Sequence, residues 1–143
     1  MAGAQRAKEL EDLGIWVRAY EFALQVYEAT AAFPPHAEPD LRTQLRRAAS
    51  AVGGDIARGF GRYSRVEYLR ALHSARGALL ESRHFLRLAR GLDYLTPEVT
   101  ERLLDAINRL NGQLHRTAAA LRERSSTLGS PSDVGRYASA ADN

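Results

Sequence analysis

The sequence contains no cysteine, a single lysine (Lys8), one methionine and one tryptophan among its 143 residues. Without cysteine there is no disulfide framework, no thiol nucleophile and no zinc–thiolate centre. No apolar run approaches the roughly 18 residues that a membrane span requires. Residues 1–6 lead into charge rather than into the apolar centre of a signal peptide, so the cytoplasm is the expected compartment. No segment shows sustained strand alternation. What is present suits a single globular domain: 45% hydrophobic and 26% charged residues, on a chain long enough to bury a core without covalent or metal staples.

The basic residues are almost all arginine, and they are unevenly spread. Residues 1–41 carry three basic side chains against seven carboxylates, a net of −4. Residues 42–90 carry eleven arginines against Asp55, Glu67 and Glu81, a net of +8. Residues 91–143 return to −1, so the overall +3 conceals a strongly basic middle. A GC-rich genome accounts for arginine in place of lysine, but not for its clustering.

Four segments show helical spacing. The first runs from about Gly14 to Ala32, with Trp16, Tyr20, Ala23, Leu24, Tyr27 and Ala31 at three- and four-residue steps, and stops at Phe33-Pro34-Pro35. Core packing is the expectation for Trp16, Tyr20 and Tyr27. The second opens after Asp40, the expected N-cap, with Leu41, Leu45, Ala48, Val52 and Ile56 as its apolar stripe, and ends near Gly59-Phe60-Gly61. Ser64 and Glu67 read as a capping box for the third helix, lined by Tyr68, Leu72, Ala75, Leu79 and Leu86 and closed by Gly91 as a left-handed stop. Thr96-Pro97 opens the fourth, seamed by Val99, Leu103, Ile107, Leu110, Leu114 and Leu121. Connections of about six residues suit antiparallel neighbours. The expected fold is all-α, an up-down-up-down four-helix bundle over residues 13–124, after an extension at 1–12 and before a flexible Ser/Gly/Ala-rich tail at 125–143.

The stretch from Gln44 to Arg70, Q-L-R-R-A-A-S-A-V-G-G-D-I-A-R-G-F-G-R-Y-S-R-V-E-Y-L-R, resembles the signature of the bacterial four-helix-bundle family, also called the 23S rRNA-intervening-sequence protein family. Its pattern runs Q-x-R-R-A-A-x-S-[IV]-x-x-N-I-A-E-G-x-G-R-x-S-x-x-E-[FY]-x-R. Ala75 to Glu81 is similar to the family's A-x-G-S-L-x-E element, and Leu92-Asp93-Tyr94-Leu95 to its L-G-Y-L turn. The resemblance covers roughly residues 12–122. It implies a homopentameric ring of four-helix bundles. In the members that serve diversity-generating retroelements as accessory variability determinants, it also implies a basic surface that binds nucleic acid and a reverse transcriptase. Two positions depart from the pattern: Asp55 and Arg58 stand where the family has Asn and Glu, so either the polar pairing there is rewired, Asp55 to Arg58 along the helix, or a family role is lost. Gly53-Gly54 replaces small polar or proline residues, which suggests a close backbone approach there.

On the third helix, at about 100° per residue, Arg65, Arg76, Arg83, Arg87 and Arg90 share a stripe about 60° wide. Val66, Leu80 and Leu88 form a second apolar strip beyond it, more than a surface helix of a monomer needs, and read as an oligomer contact. The arginines, with Arg46, Arg47 and Arg62, suit bidentate phosphate contact with RNA or DNA backbone. The competing reading pairs them with carboxylates across subunits or leaves them solvated, in a ring-shaped interaction scaffold with no nucleic-acid role. Glu81 and His84 form a Glu-x-x-His pair, but a di-iron site needs a second such pair, and His36, His73 and His115 have no acid three residues before them. There is no nucleophile–base constellation, nucleophile elbow or phosphate loop. The expectation is thus a non-catalytic protein without metal or cofactor, homo-oligomeric, away from membranes, and partnered by nucleic acid and a reverse transcriptase.

Overall fold

The structure, a computed structural model, describes residues 9–128, with side chains described through position 123. The tail from 129 onward and residues 1–8 lie outside the described residues. A 3-10 turn at Leu10–Asp12 leads into α1 (Gly14–Ala31), α2 (Pro39–Gly61), α3 (Arg65–Gly91) and α4 (Pro97–Leu128), and no strand occurs among the described residues. At 32 residues, α4 reaches about 48 Å and extends four residues beyond the expected end at 124.

Each helix packs on the next, and α4 closes back on α1, which makes a four-helix bundle. The contacts show the directions. Arg42 and Arg46 near the start of α2 reach Thr30 near the end of α1, whereas Gly53 further along faces Trp16 near its start. Asp55 meets Ser74 while Gly59 meets Tyr68, and Arg76 reaches Asn111 while Arg83 reaches Asn108. Neighbouring helices therefore run antiparallel, as their short links dictate.

The expected apolar seams of α2, α3 and α4 are the observed core, except that Val99 is half-buried at its edge. Leu45, Val52, Ile56, Tyr68, Leu72, Leu79, Leu86, Leu103, Ile107, Leu110, Leu114 and Leu121 are all buried. Each large aliphatic side chain among them contributes about 1.5–3 kcal/mol of burial. α1 differs. Its buried face is Ile15, Ala19, Phe22, Val26 and Thr30, while Tyr20 is 49% and Tyr27 45% exposed, and Trp16 is only half-buried. The expectation of core packing is corrected for Tyr20 and Tyr27, whereas Trp16 packs against the edge of the core. α1 carries two apolar stripes about 100° apart, so periodicity alone does not choose between them. The inner stripe wins although it ends on a threonine, because the Thr30 hydroxyl is satisfied by donating to the Val26 carbonyl at 2.8 Å.

The helix ends are built partly as the sequence suggests. The Ser64 hydroxyl accepts from the Glu67 amide at 3.3 Å, and Thr96 Oγ1 accepts from the Val99 amide at 3.2 Å. The N-cap of α2 is Glu38 with no side-chain cap bond, so Asp40 lies inside the first turn, where its charge meets the positive end of the helix. α3 does not stop on a left-handed Gly91. Gly91 is its last helical residue, and Asp93 takes the left-handed backbone, with φ 63°. The Tyr94 amide then donates to the Ala89 carbonyl and the Asp93 amide to that of Arg90, the two bonds of a Schellman stop. The turn places Tyr94 against Phe33 and His36, and its hydroxyl accepts from the Glu38 amide at 3.3 Å. The α1–α2 and α3–α4 links are thereby tied together at one end of the bundle.

Gly53 and Gly54 are not a tight approach: a Cβ added at Gly53 would make only ordinary contact with Trp16 and Ala19, at 3.6 and 3.7 Å, and one at Gly54 would face open space. The close approach is at Gly59, where an added Cβ would overlap the Cβ of Ala71 on α3. Glycine is needed there because the α2–α3 crossing leaves no room for a methyl group.

Candidate nucleic-acid interface

The basic middle of the chain divides into two populations. On α2, Arg42 Nε donates to the Thr30 carbonyl at 3.1 Å. Arg46 Nε donates to Thr30 Oγ1 at 2.7 Å and its Nη2 to the Tyr27 carbonyl at 3.3 Å, with the guanidinium 4.7 Å from the centre of the Tyr27 ring. Arg58 pairs with Asp55, which also accepts from Ser74 Oγ at 2.9 Å. The expected Asp55–Arg58 pairing is present, and the buried carboxylate additionally ties α2 to α3.

On α3 the partners are different. Arg76 Nε donates to Asn111 Oδ1 at 3.2 Å, and Arg83 Nη1 donates to Asn108 Oδ1 at 3.0 Å. These amides come from α4 and orient the guanidiniums without neutralising them. Arg87 lies exposed one turn beyond Arg83. None of the three has a carboxylate within ion-pair distance among the described residues. Their remaining N–H donors face solvent along the α3–α4 flank, a row suited to phosphate oxygens spaced along a backbone.

The other candidates lie elsewhere. Arg65 belongs by angle to the same stripe, but it is buried, 6% exposed, and is corrected out of the solvent-facing row. Its place in the first turn of α3, at the tight link from α2, turns it inward. Arg90 is half-buried and pairs with Asp93 at 3.2 Å. Arg46 is held on the α1–α2 side, away from the α3 row. Arg47 is exposed on α2, and Arg62 is exposed at its C-terminal end, in a shallow groove with Arg58, Glu67 and Arg70. The eight arginines do not form one site.

Three arginines that sequence reading passed over do come together. Arg18 of α1 and Arg102 and Arg109 of α4 line a cleft of about 250 Å³. The available signal was the seven-residue spacing of Arg102 and Arg109, which puts both on one face of α4. It was masked because both flanking thirds of the chain are acidic overall.

Val66, Leu80 and Leu88 are 58%, 41% and 44% exposed on the outer face of α3. Glu81 and His84 are both exposed, and no group of three or more His, Asp or Glu among the described residues is placed to hold a metal ion. No helix among them is long and apolar enough to cross a membrane.

The described residues thus define an all-helical four-helix bundle with a basic flank. The chain belongs to the 23S rRNA-intervening sequence protein family, whose profile matches residues 11–116. Its fold is similar to the crystal structure of a protein of unknown function from the S23 ribosomal protein family of Bacteroides thetaiotaomicron. The TM-score is 0.63 at 21% identity, over 70% of this chain and 94% of that one. No curated protein matches the sequence. The family name refers to intervening sequences of 23S rRNA, and neither match names a catalytic activity.

Proposed function

We propose that this protein is a non-catalytic accessory protein that binds the backbone of RNA or DNA through Arg76, Arg83 and Arg87. One observation carries the reading: the Arg76 and Arg83 guanidiniums are oriented by the neutral amides of Asn111 and Asn108, Arg87 is exposed one turn further on, and no carboxylate among the described residues pairs with any of the three. An arginine absorbed by the fold spends its donors on a carboxylate, as Arg58 does on Asp55, or on the backbone and ring of a neighbouring helix, as Arg46 does on Thr30 and Tyr27. The contact is to phosphate rather than to bases, because the row consists of guanidiniums spaced along a helix flank, which match phosphate oxygens repeated along a backbone. Assembly into a homopentameric ring through Val66, Leu80 and Leu88 would repeat the flank five times and multiply modest contacts. The resemblance to accessory determinants of retroelements adds a reverse transcriptase as the proposed protein partner, in the cytoplasm.

The test is electrophoretic mobility shift and filter binding across a salt series. Affinity is expected to fall steeply with salt as counterions are released. In Arg76→Glu/Arg83→Glu/Arg87→Glu it should collapse while helicity is retained. Unchanged affinity in that variant would overturn the site. The second reading, a scaffold without nucleic acid, is favoured by the exposed strip of Val66, Leu80 and Leu88. Absence of retention of any RNA or DNA at low salt, with an intact oligomer by light scattering, would select it.

A further inference from the structure

We infer that the cleft between α1 and α4 is a second anion site, built for the phosphates of a compact polyphosphate chain such as a triphosphate. Arg18, Arg102 and Arg109 line it, with Gln25 on the α1 side and Glu21 as the one carboxylate. Three guanidiniums against one carboxylate leave the lining at +2. No carboxylate among the described residues lies within ion-pair distance of any of the three. Arg18 is also held in place: its Nη1 donates at 3.1 Å to Oε1 of Gln113, a fully buried side chain of α4. A buried amide that fixes a surface arginine spends its acceptor on aiming that guanidinium, which lowers the ordering cost of gripping an anion.

The spacing selects the ligand. Arg102 and Arg109 stand two turns apart, about 10.5 Å along α4, with Arg18 facing them from α1. Guanidiniums rooted that far apart along one helix are suited to separate phosphoryl groups of a short chain, each accepting from one fork. The cleft volume of about 250 Å³ accommodates such a chain but not a duplex. The site is separate from the α3 row, because Asn108 and Asn111 lie on the opposite flank of α4 from Arg102 and Arg109. A triphosphate reaches such a cleft either as a free nucleotide or as the 5′ end of an RNA.

The experiment is isothermal titration calorimetry at low salt on the full chain, with inorganic triphosphate as the first probe. The wild type should bind it, and Arg102→Gln/Arg109→Gln should weaken binding at least about tenfold, the loss expected for charge-assisted hydrogen bonds. Glu21→Gln should tighten binding, an effect that a merely structural role would not produce. Arg83→Gln/Arg87→Gln should leave triphosphate binding unchanged while weakening nucleic-acid retention, so the two sites fail independently. Further arms compare ATP with 5′-triphosphorylated and 5′-hydroxyl oligonucleotides of one sequence. Preference for ATP identifies the free nucleotide, and preference for the triphosphorylated end identifies the RNA terminus. No heat with inorganic triphosphate, or equal affinity in Arg102→Gln/Arg109→Gln, would overturn the inference.

Discussion

The arginines of α2 and those of α3 sit in one basic stretch of sequence but do different work. Arg42, Arg46 and Arg58 are absorbed by the fold, on the Thr30 carbonyl, the Thr30 hydroxyl and the Asp55 carboxylate. Arg76 and Arg83 meet only asparagine amides, and Arg87 is exposed. Clustered charge in a sequence is therefore not a site. A site is the part of the cluster whose donors are spent neither on a carboxylate nor on the backbone of a neighbouring helix, and that distinction depends on the partners each guanidinium meets rather than on exposure alone.

The sharpest way to break this contrast is to reverse the α3 row. Arg76→Glu/Arg83→Glu/Arg87→Glu is expected to weaken nucleic-acid binding by about 100-fold at low salt, near 2.7 kcal/mol. The slope of log affinity against log salt should fall by about three. Thermal unfolding should stay close to wild type, because no carboxylate partner is lost. A large drop in melting temperature would move these arginines into the structural class.

Next comes the close seam between α2 and α3. Gly59→Ala places a methyl group on the Cβ of Ala71 and is expected to destabilise the bundle by about 2 kcal/mol, as overpacking does. Chemical denaturation measures it, and the pair Gly59→Ala/Ala71→Gly should recover much of the loss. A smaller effect of the same kind is expected for Arg46→Ala, about 1 kcal/mol, from the lost bond to Thr30 Oγ1. Its nucleic-acid affinity should be nearly unchanged, the mirror image of an α3 variant.

Asp93→Gly tests the boundary case. Asp93 holds a left-handed backbone where the family pattern has glycine, and it neutralises Arg90. The substitution should gain about 0.5 kcal/mol in stability by relieving the backbone, less what the ion pair supplied. It should also raise nucleic-acid affinity slightly by releasing the Arg90 charge. Unaltered binding would show that Arg90 lies outside the interface. The smallest expected effect is that of Asn108→Ala, which frees Arg83 without removing it. Affinity should fall about threefold, with stability within about 0.5 kcal/mol of wild type.

Most of the fold was legible in the sequence, and the reasons are local. Pro34-Pro35, Ser64 and Thr96-Pro97 punctuate the chain by backbone chemistry that needs no distant partner. The seams of α2 and α4 each present one dominant apolar stripe, and on α3 the stripe through Tyr68, Leu72, Ala75, Leu79 and Leu86 outweighs the shorter strip of Val66, Leu80 and Leu88. α1 was misread because Trp16, Tyr20 and Tyr27 make a stripe as regular as the one that is buried. Large amphipathic rings tolerate a groove edge as well as an interior. The stop of α3 lies at Asp93 rather than Gly91 because aspartate is among the side chains that tolerate φ 63°, and a neighbouring glycine two residues earlier is the stronger but misleading signal.

The candidate sites were legible only as raw material. Helical spacing placed Arg76, Arg83 and Arg87 in a row, because side-chain direction along a helix is set by a fixed rotation per residue. The same rotation placed Arg65 and Arg90 in that row, and it had no means of knowing that one would be buried and the other paired. Nor could it bring Arg18 to Arg102 and Arg109 across more than eighty residues. By itself the sequence determined four amphipathic helices, their order, their antiparallel turns and a basic middle, since each of these is decided within a few turns of chain. The tertiary structure alone decided which stripe of α1 is inside, which arginines keep their charge, and which distant cations share a cleft. Those outcomes depend on what a neighbouring helix offers at one particular height in the bundle.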